Sequence, residues 1–251
     1  MKKIKKNNQF SLLLKIFFLF SYVSITNEKN NRNLNNYDSI IQLIISGKGN
    51  QTILSDYFKY EPSEVIINGI SKGKSCKKSC YFDEDINNVT LKFQYDVDTC
   101  DSMFYKLNNI TEIDLSKFDA SKITSMYFMF ADCINLEKIK FGNINTSSVN
   151  NMYCIFCSCK KLSSIDLSKF DTSKVTDMEG MFNECNNLKY LDLSNFNTSL
   201  VKSMRTMFQK CTQLIEINLS NFDTSQVTDM GYMFNGCNNL KYLDLSNFNP
   251  F

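Results

Sequence analysis

The chain has no histidine and no tryptophan, and only two prolines and eight glycines among 251 residues. The missing histidine excludes histidine-based acid–base catalysis, Ser-His-Asp and Cys-His nucleophile systems, and HExxH zinc sites together. Carboxylate or lysine chemistry survives that exclusion, but no motif for either occurs. Charge is also nearly absent in net terms: 28 basic residues balance 26 acidic ones, for a formal charge of +2. Attraction to nucleic acid or to a membrane surface by bulk charge is thereby disfavoured. Hydrophobic residues make up 43% of the chain, enough to build a core.

The first residues read as a targeting segment. Lys2, Lys3, Lys5 and Lys6 precede an apolar stretch from Phe10 to Ile25, broken by Lys15. The run after Lys15 is about ten residues, short of the roughly 20 needed to span a bilayer. Residues 1–26 are therefore expected to be a signal peptide, with a signal anchor as the alternative. A polar, Asn-rich leader follows over 27–38. No later stretch has the length and hydropathy of a membrane span, so none is expected beyond that anchor.

The second half is periodic. Units of 26 residues begin at Ile113, Ile139, Ile165, Leu191 and Ile217, and a partial one begins at Leu243. Leu188, Leu191, Leu193 and Phe196 lie at L-x-x-L-x-L-x-x-F spacing, and other units hold the same columns. The alternation predicts a short strand. Asn/Asp-Thr-Ser follows, as at Asn197 to Ser199, and predicts a turn or helix N-cap. Val175, Met178, Met181 and Phe182 then fall at helical spacing and predict a short helix. A cysteine column at Cys133, Cys159, Cys185, Cys211 and Cys237 closes each unit. One unit has too little core to stand alone, so neighbours must share their buried faces.

The segments from Ile165 to Tyr190 and from Ile217 to Tyr242 resemble the repeats of the BspA-like leucine-rich-repeat surface proteins. The D-T-S-x-V-T-x-M-x-x-M-F-x-x-C string carries the resemblance, which covers about residues 110–251. It implies a right-handed leucine-rich-repeat stack, secretion or surface display, adhesion, and no enzymatic activity. The expected fold is thus an α/β solenoid with a parallel β-sheet and short helical turns. An N-terminal β-rich cap over 39–112 is expected to merge into a degenerate first repeat. Ile40 to Ile45, Val65 to Ile67 before Asn68-Gly69, and Val89 to Phe93 supply its strands. One unit departs from the pattern: Lys140-Phe141-Gly142 replaces Asp-Leu-Ser.

Candidate functional residues lie on the outward strand columns. One reads Asp114, Lys140, Asp166, Asp192, Asn218 and Asp244; the other reads Glu112, Lys138, Ser164, Tyr190, Glu216 and Tyr242. They form either a solvated face or a face that binds a cation or a basic partner. Like charges about 5 Å apart repel by about 1 kcal/mol or less in water. Cys76 with Cys80, or either one with Cys100, is a candidate cap disulfide. The column cysteines read as buried thiols, and Cys154, Cys157 and Cys159 only hint at a metal site, so no metal is expected. Sequons at Asn50, Asn88, Asn109, Asn145 and Asn197 are candidate glycosylation sites if the chain enters a eukaryotic secretory path. The expected function is an exported or cell-surface adhesion-type module with no cofactor, binding an extracellular protein or glycan. An intracellular scaffold is the alternative. The unfinished sixth unit points either to truncation or to end-to-end pairing.

Overall fold

The computed structural model describes residues 39–249; the expected signal segment and leader lie outside them. Ten strands form: β1 (Ser39–Ser46), β2 (Gly49–Thr52), β3 (Glu64–Ile67), β4 (Ile70–Ser71), β5 (Ser79–Phe82), β6 (Ile86–Phe93), β7 (Ile110–Lys117), β8 (Lys138–Lys140), β9 (Tyr190–Asp192) and β10 (Glu216–Asn218). The largest sheet runs β4-β3-β6-β1-β7-β8. β1 is antiparallel to both β6 and β7, and β7 is parallel to β8. Alternation puts Ile41, Leu43 and Ile45 of β1 in the core with Val89, Leu91 and Phe93 of β6. Asn68 and Gly69 both take positive φ, 50° and 81°, and turn the β3–β4 hairpin. β7 is the junction, because one edge meets β1 of the N-terminal strands and the other meets β8 of the unit from Ile139.

The α/β solenoid with helical turns is not what forms. Among the described residues the only helical piece is a single 3-10 turn, Gly73–Ser75. Regular structure is strand, in one mixed six-stranded sheet, one antiparallel pair and one parallel pair. The expected continuous parallel sheet is instead two fragments, β7 with β8 and β9 with β10, interrupted at the unit from Ile165.

The hydrogen bonds give the physical reason for the missing helix. Met178, Gly180, Phe182 and Glu184 donate their N–H groups to Ser203, Arg205, Met207 and Gln209 in the next unit, at 2.8–3.1 Å. The intervening Met181, Asn183 and Cys185 close turns onto Met178, Gly180 and Phe182. An α-helix would need those same groups for bonds four residues back. Gly180 and Glu184 also sit at φ 61° and 60°, which breaks any helix. Phe128 and Asp132, Cys154 and Ser158, and Thr206 and Lys210 repeat this left-handed pair. Consecutive four-residue turns bring inward side chains at nearly helical spacing, so the pattern alone misleads.

The lateral bonds keep the units in register. Isolated parallel bridges link Ser125, Asn151, Asp177, Ser203 and Asp229 in succession. Phe104, Phe130, Phe156, Phe182, Phe208 and Phe234 form a column with ring centroids 5.3–5.8 Å apart and planes within 20°. Each such stacked pair contributes about 0.5–1.5 kcal/mol beyond its buried area. The ladder already runs at residue 100, since Cys100, Ser102, Phe104 and Lys106 donate to Ser125, Tyr127, Met129 and Ala131.

Buried Thr146, Thr172 and Thr198 each clamp the next unit, whereas the unit from Ile113 has Ala120 at this position. Thr172 Oγ1 donates to Asn197 O at 2.9 Å and accepts from Asn197 N at 2.8 Å. Thr198 does the same to Asp223, at 2.9 and 2.8 Å. Asparagine side chains add further crosslinks: Asn195 Nδ2 donates to Leu167 O and Phe170 O, both at 3.0 Å. The odd unit at Lys140 is accommodated by Gly142, whose φ is 61° and where a Cβ would come within 2.6 Å of Ser116 Cβ.

Two substitutions test this account. Thr198→Val keeps the shape but leaves both backbone groups of Asp223 without their partner, and is expected to cost about 1–2 kcal/mol. Thr198→Ser keeps the hydroxyl and should cost less; urea unfolding of both proteins compares them. Equal losses would remove the clamp from the account.

Candidate binding face

The outward strand columns do two different jobs. Asp114, Asp166, Asp192, Asn218 and Asp244 each accept the backbone N–H two residues on, at 2.8–3.1 Å, from Ser116, Ser168, Ser194, Ser220 and Ser246. These are Asx turns, and those at Asp192 and Asn218 end β9 and β10. Lys140 makes no such turn. Its Nζ instead reaches Asp114 Oδ2 at 3.0 Å. Lys138 pairs likewise with Glu112 at 3.5 Å. The Lys138–Glu112 pair is largely exposed and adds little stability, whereas Asp114 is partly buried beneath Lys140. The like-charge repulsion expected along the column is thus relieved at its start by lysine.

The carboxylates are tuned by the turns. The Ser168, Ser194 and Ser246 N–H groups hold Asp166, Asp192 and Asp244 below the usual carboxylate range. Partial burial pushes Asp114 upward, but bonds from Ser116 and Lys140 outweigh it and the net direction is down. In the second column Tyr190 and Tyr242 are 61% and 71% exposed, on either side of Glu216. Neither ring is needed by the core. The face therefore offers two aromatic rings and a row of hydrogen-bond acceptors, with no nucleophile–base pair.

The structure distributes the other candidates unevenly. Cys76 and Cys80 are bridged, and Cys100 is a fully buried thiol pushed well up by that burial. Cys133, Cys159, Cys185, Cys211 and Cys237 each donate an S–H to a phenylalanine carbonyl in the preceding unit, at 2.9–3.2 Å. No metal-ligating cluster is present among the described residues. Asn50, Asn88, Asn145 and Asn197 are exposed. Asn109 is not available in the same way: its Nδ2, the atom a glycan would occupy, donates to Gln51 Oε1 and Thr52 O at 3.1 and 2.8 Å.

A second surface feature went unread in the sequence. Tyr57, Tyr105, Phe128, Tyr127 and Tyr153 form a continuous aromatic cluster with centroids 4.4–5.8 Å apart. Tyr127 and Tyr153 are exactly one period apart, and that spacing was the available signal. Burial, with the Cys154 sulfur and nearby carboxylates, pushes the Tyr153 hydroxyl up to about 12. Further along, Arg205 lies over the Tyr232 ring at 5.5 Å and meets Asp229 at 3.4 Å.

The periodic region is also where a known family matches. The family described as "Mycoplasma protein of unknown function, DUF285" matches residues 98–213 and 182–250. The chain belongs to this family. The match begins where the lateral ladder begins and spans more than half of the chain. No curated protein and no solved structure matches the chain. No helix among the described residues is long and apolar enough to cross a membrane.

The Asx turns make a prediction about acid. A carboxylate whose pKa is depressed by folding stabilises the fold above its unfolded value, near 3.9, and that stability is lost as pH falls through the folded value. Stability should therefore decline as pH drops below about 4. The triple change Asp166→Asn, Asp192→Asn and Asp244→Asn keeps the turns, as Asn218 does, and should flatten this decline. Unfolding midpoints measured from neutral pH downward compare the two proteins; parallel curves would count against the turns as the cause.

Proposed function

We propose that the chain is an exported, non-catalytic binding module that recognises an extracellular protein or glycan through the strand face. The observation that carries this reading is the pair of exposed rings, Tyr190 and Tyr242, standing among the acceptors Asp192, Glu216, Asn218 and Asp244 without any part in the core. Tyrosine combines a broad apolar contact with a hydroxyl and is enriched where binding energy concentrates. The resemblance to BspA-like surface proteins points the same way. The Cys76–Cys80 bridge supports an oxidising compartment.

One observation favours the intracellular scaffold instead. Eight cysteines are free thiols, and a reducing compartment preserves thiols without protection. Burial of most of them supplies that protection in the exported reading. A C-terminal tag distinguishes the two: surface-exposed, processed product supports export, and unprocessed cytosolic product overturns it.

Binding is tested by screening the purified chain against a glycan array and a panel of immobilised matrix proteins. Tyr190→Ala or Tyr242→Ala is expected to weaken a detected interaction about tenfold, or about 1.4 kcal/mol. Asp166→Asn with Asp192→Asn removes charge without opening the turns, which charge reversal would not achieve. Unchanged binding in all of these variants would exclude the strand face.

A further inference from the structure

Two of the free thiols are arranged unlike the rest. The five column cysteines spend their S–H groups on phenylalanine carbonyls, and Cys100 is sealed in the core. Cys154 and Cys157 instead face each other across a turn. The Cys157 N–H donates to Cys154 O at 3.2 Å, closing four residues. Such a turn holds its end Cα atoms within about 7 Å, and disulfides span about 4.4–6.8 Å.

The surroundings are adapted to the pair. Cys154 takes the left-handed position, at φ 51°, that Phe128, Thr206 and Tyr232 fill in other units. The next unit places Gly180 beneath it, where a Cβ would lie 2.6 Å from the Cys154 sulfur. Two cysteines and the glycine that makes room for one of them therefore meet at one point, in columns that vary from unit to unit. Cys154 is buried, whereas Cys157 is only half-buried and reachable from solvent.

We propose that Cys154 and Cys157 are a thiol–disulfide exchange site that closes to an intrachain bridge with a low-molecular-weight disulfide such as oxidised glutathione. The Cys157 thiolate attacks one sulfur of the reagent, breaking its S–S bond and releasing one thiol. The Cys154 thiolate then attacks Cys157 Sγ and releases the second thiol. The protein loses two S–H bonds and gains one S–S bond, while the reagent is reduced to two thiols that take up the protons.

The order of attack follows from the pair's electrostatics. A hydrogen bond from the Cys154 thiol lowers Cys157, and the same contact, with burial, raises Cys154. Ser158 also favours the Cys157 thiolate, while the carboxylates of Asp132 and Glu184 oppose it. Glu184 is itself neutralised by Lys210 at 2.6 Å and Lys160 at 3.8 Å. The entering thiolate is thus the accessible one, and the resolving thiol is the buried one.

The test uses the full folded chain, with its free thiols reduced, treated with excess oxidised glutathione at neutral pH. The reaction is quenched with acid, unfolded, alkylated and mapped by mass spectrometry. The expected peptide containing all three of Cys154, Cys157 and Cys159 carries one alkyl group, on Cys159, and is lighter by two hydrogens at the other pair. In Cys154→Ser, Cys157 should retain glutathione, because nothing resolves the mixed disulfide. Retained glutathione on the wild-type Cys157, alkylation of both Cys154 and Cys157, or a bridge from Cys157 to Cys159 would each overturn the proposal. If Cys154→Ser does not fold, the wild-type peptide alone decides.

Discussion

The repeat region depends on one constraint: backbone N–H groups at alternate positions must find their carbonyls in the neighbouring unit. Met178, Gly180, Phe182 and Glu184 all point sideways in this manner. The groups between them can then close only four-residue turns. Each unit is left with no regular structure of its own in this stretch. Its conformation exists because the next unit supplies acceptors, which ties local geometry to the register of the whole stack.

Several features follow from that dependence. Non-glycine residues such as Phe128, Glu184 and Thr206 occupy left-handed backbone, a conformation that ordinarily costs about 1–2 kcal/mol. Lateral bonds on both sides hold them there. The same translation that repeats the bonds also superposes the phenylalanines, so a column of parallel rings forms without further specification. It also carries the column thiols to the phenylalanine carbonyls of the preceding unit, where a weak donor becomes a satisfied one. Threonine and asparagine then fasten the turns on the opposite side. The abundance of asparagine therefore reflects crosslinking and turn formation as well as solvation.

The surface is what this arrangement leaves over. Most of the outward acidic column is already used to form turns, so its charge pattern is first a structural one. Tyr190, Tyr242 and the cluster around Tyr127 and Tyr153 form no such turns, and the proposed recognition rests on the first two. Cys154, Cys157 and Gly180 come together at positions that the repeat leaves variable. Both groups stand out only because the inward columns are so regular.

The sequence alone determined the 26-residue period, the inward columns, the Asn68-Gly69 hairpin and the strands β1, β3 and β6, because each depends on local alternation or turn chemistry; β2 and β5 were not legible in it. It could not determine that Val175, Met178, Met181 and Phe182 lie on turns. Their spacing satisfies a helix and a series of four-residue turns equally well, and only the lateral hydrogen bonds choose between them. Nor could it show that Asp192 caps a turn, that Thr198 grips Asp223, or that Asn109 is tied to Gln51 and Thr52. Those roles arise between residues far apart in the chain, where tertiary contact rather than residue type decides which polar atom is already taken.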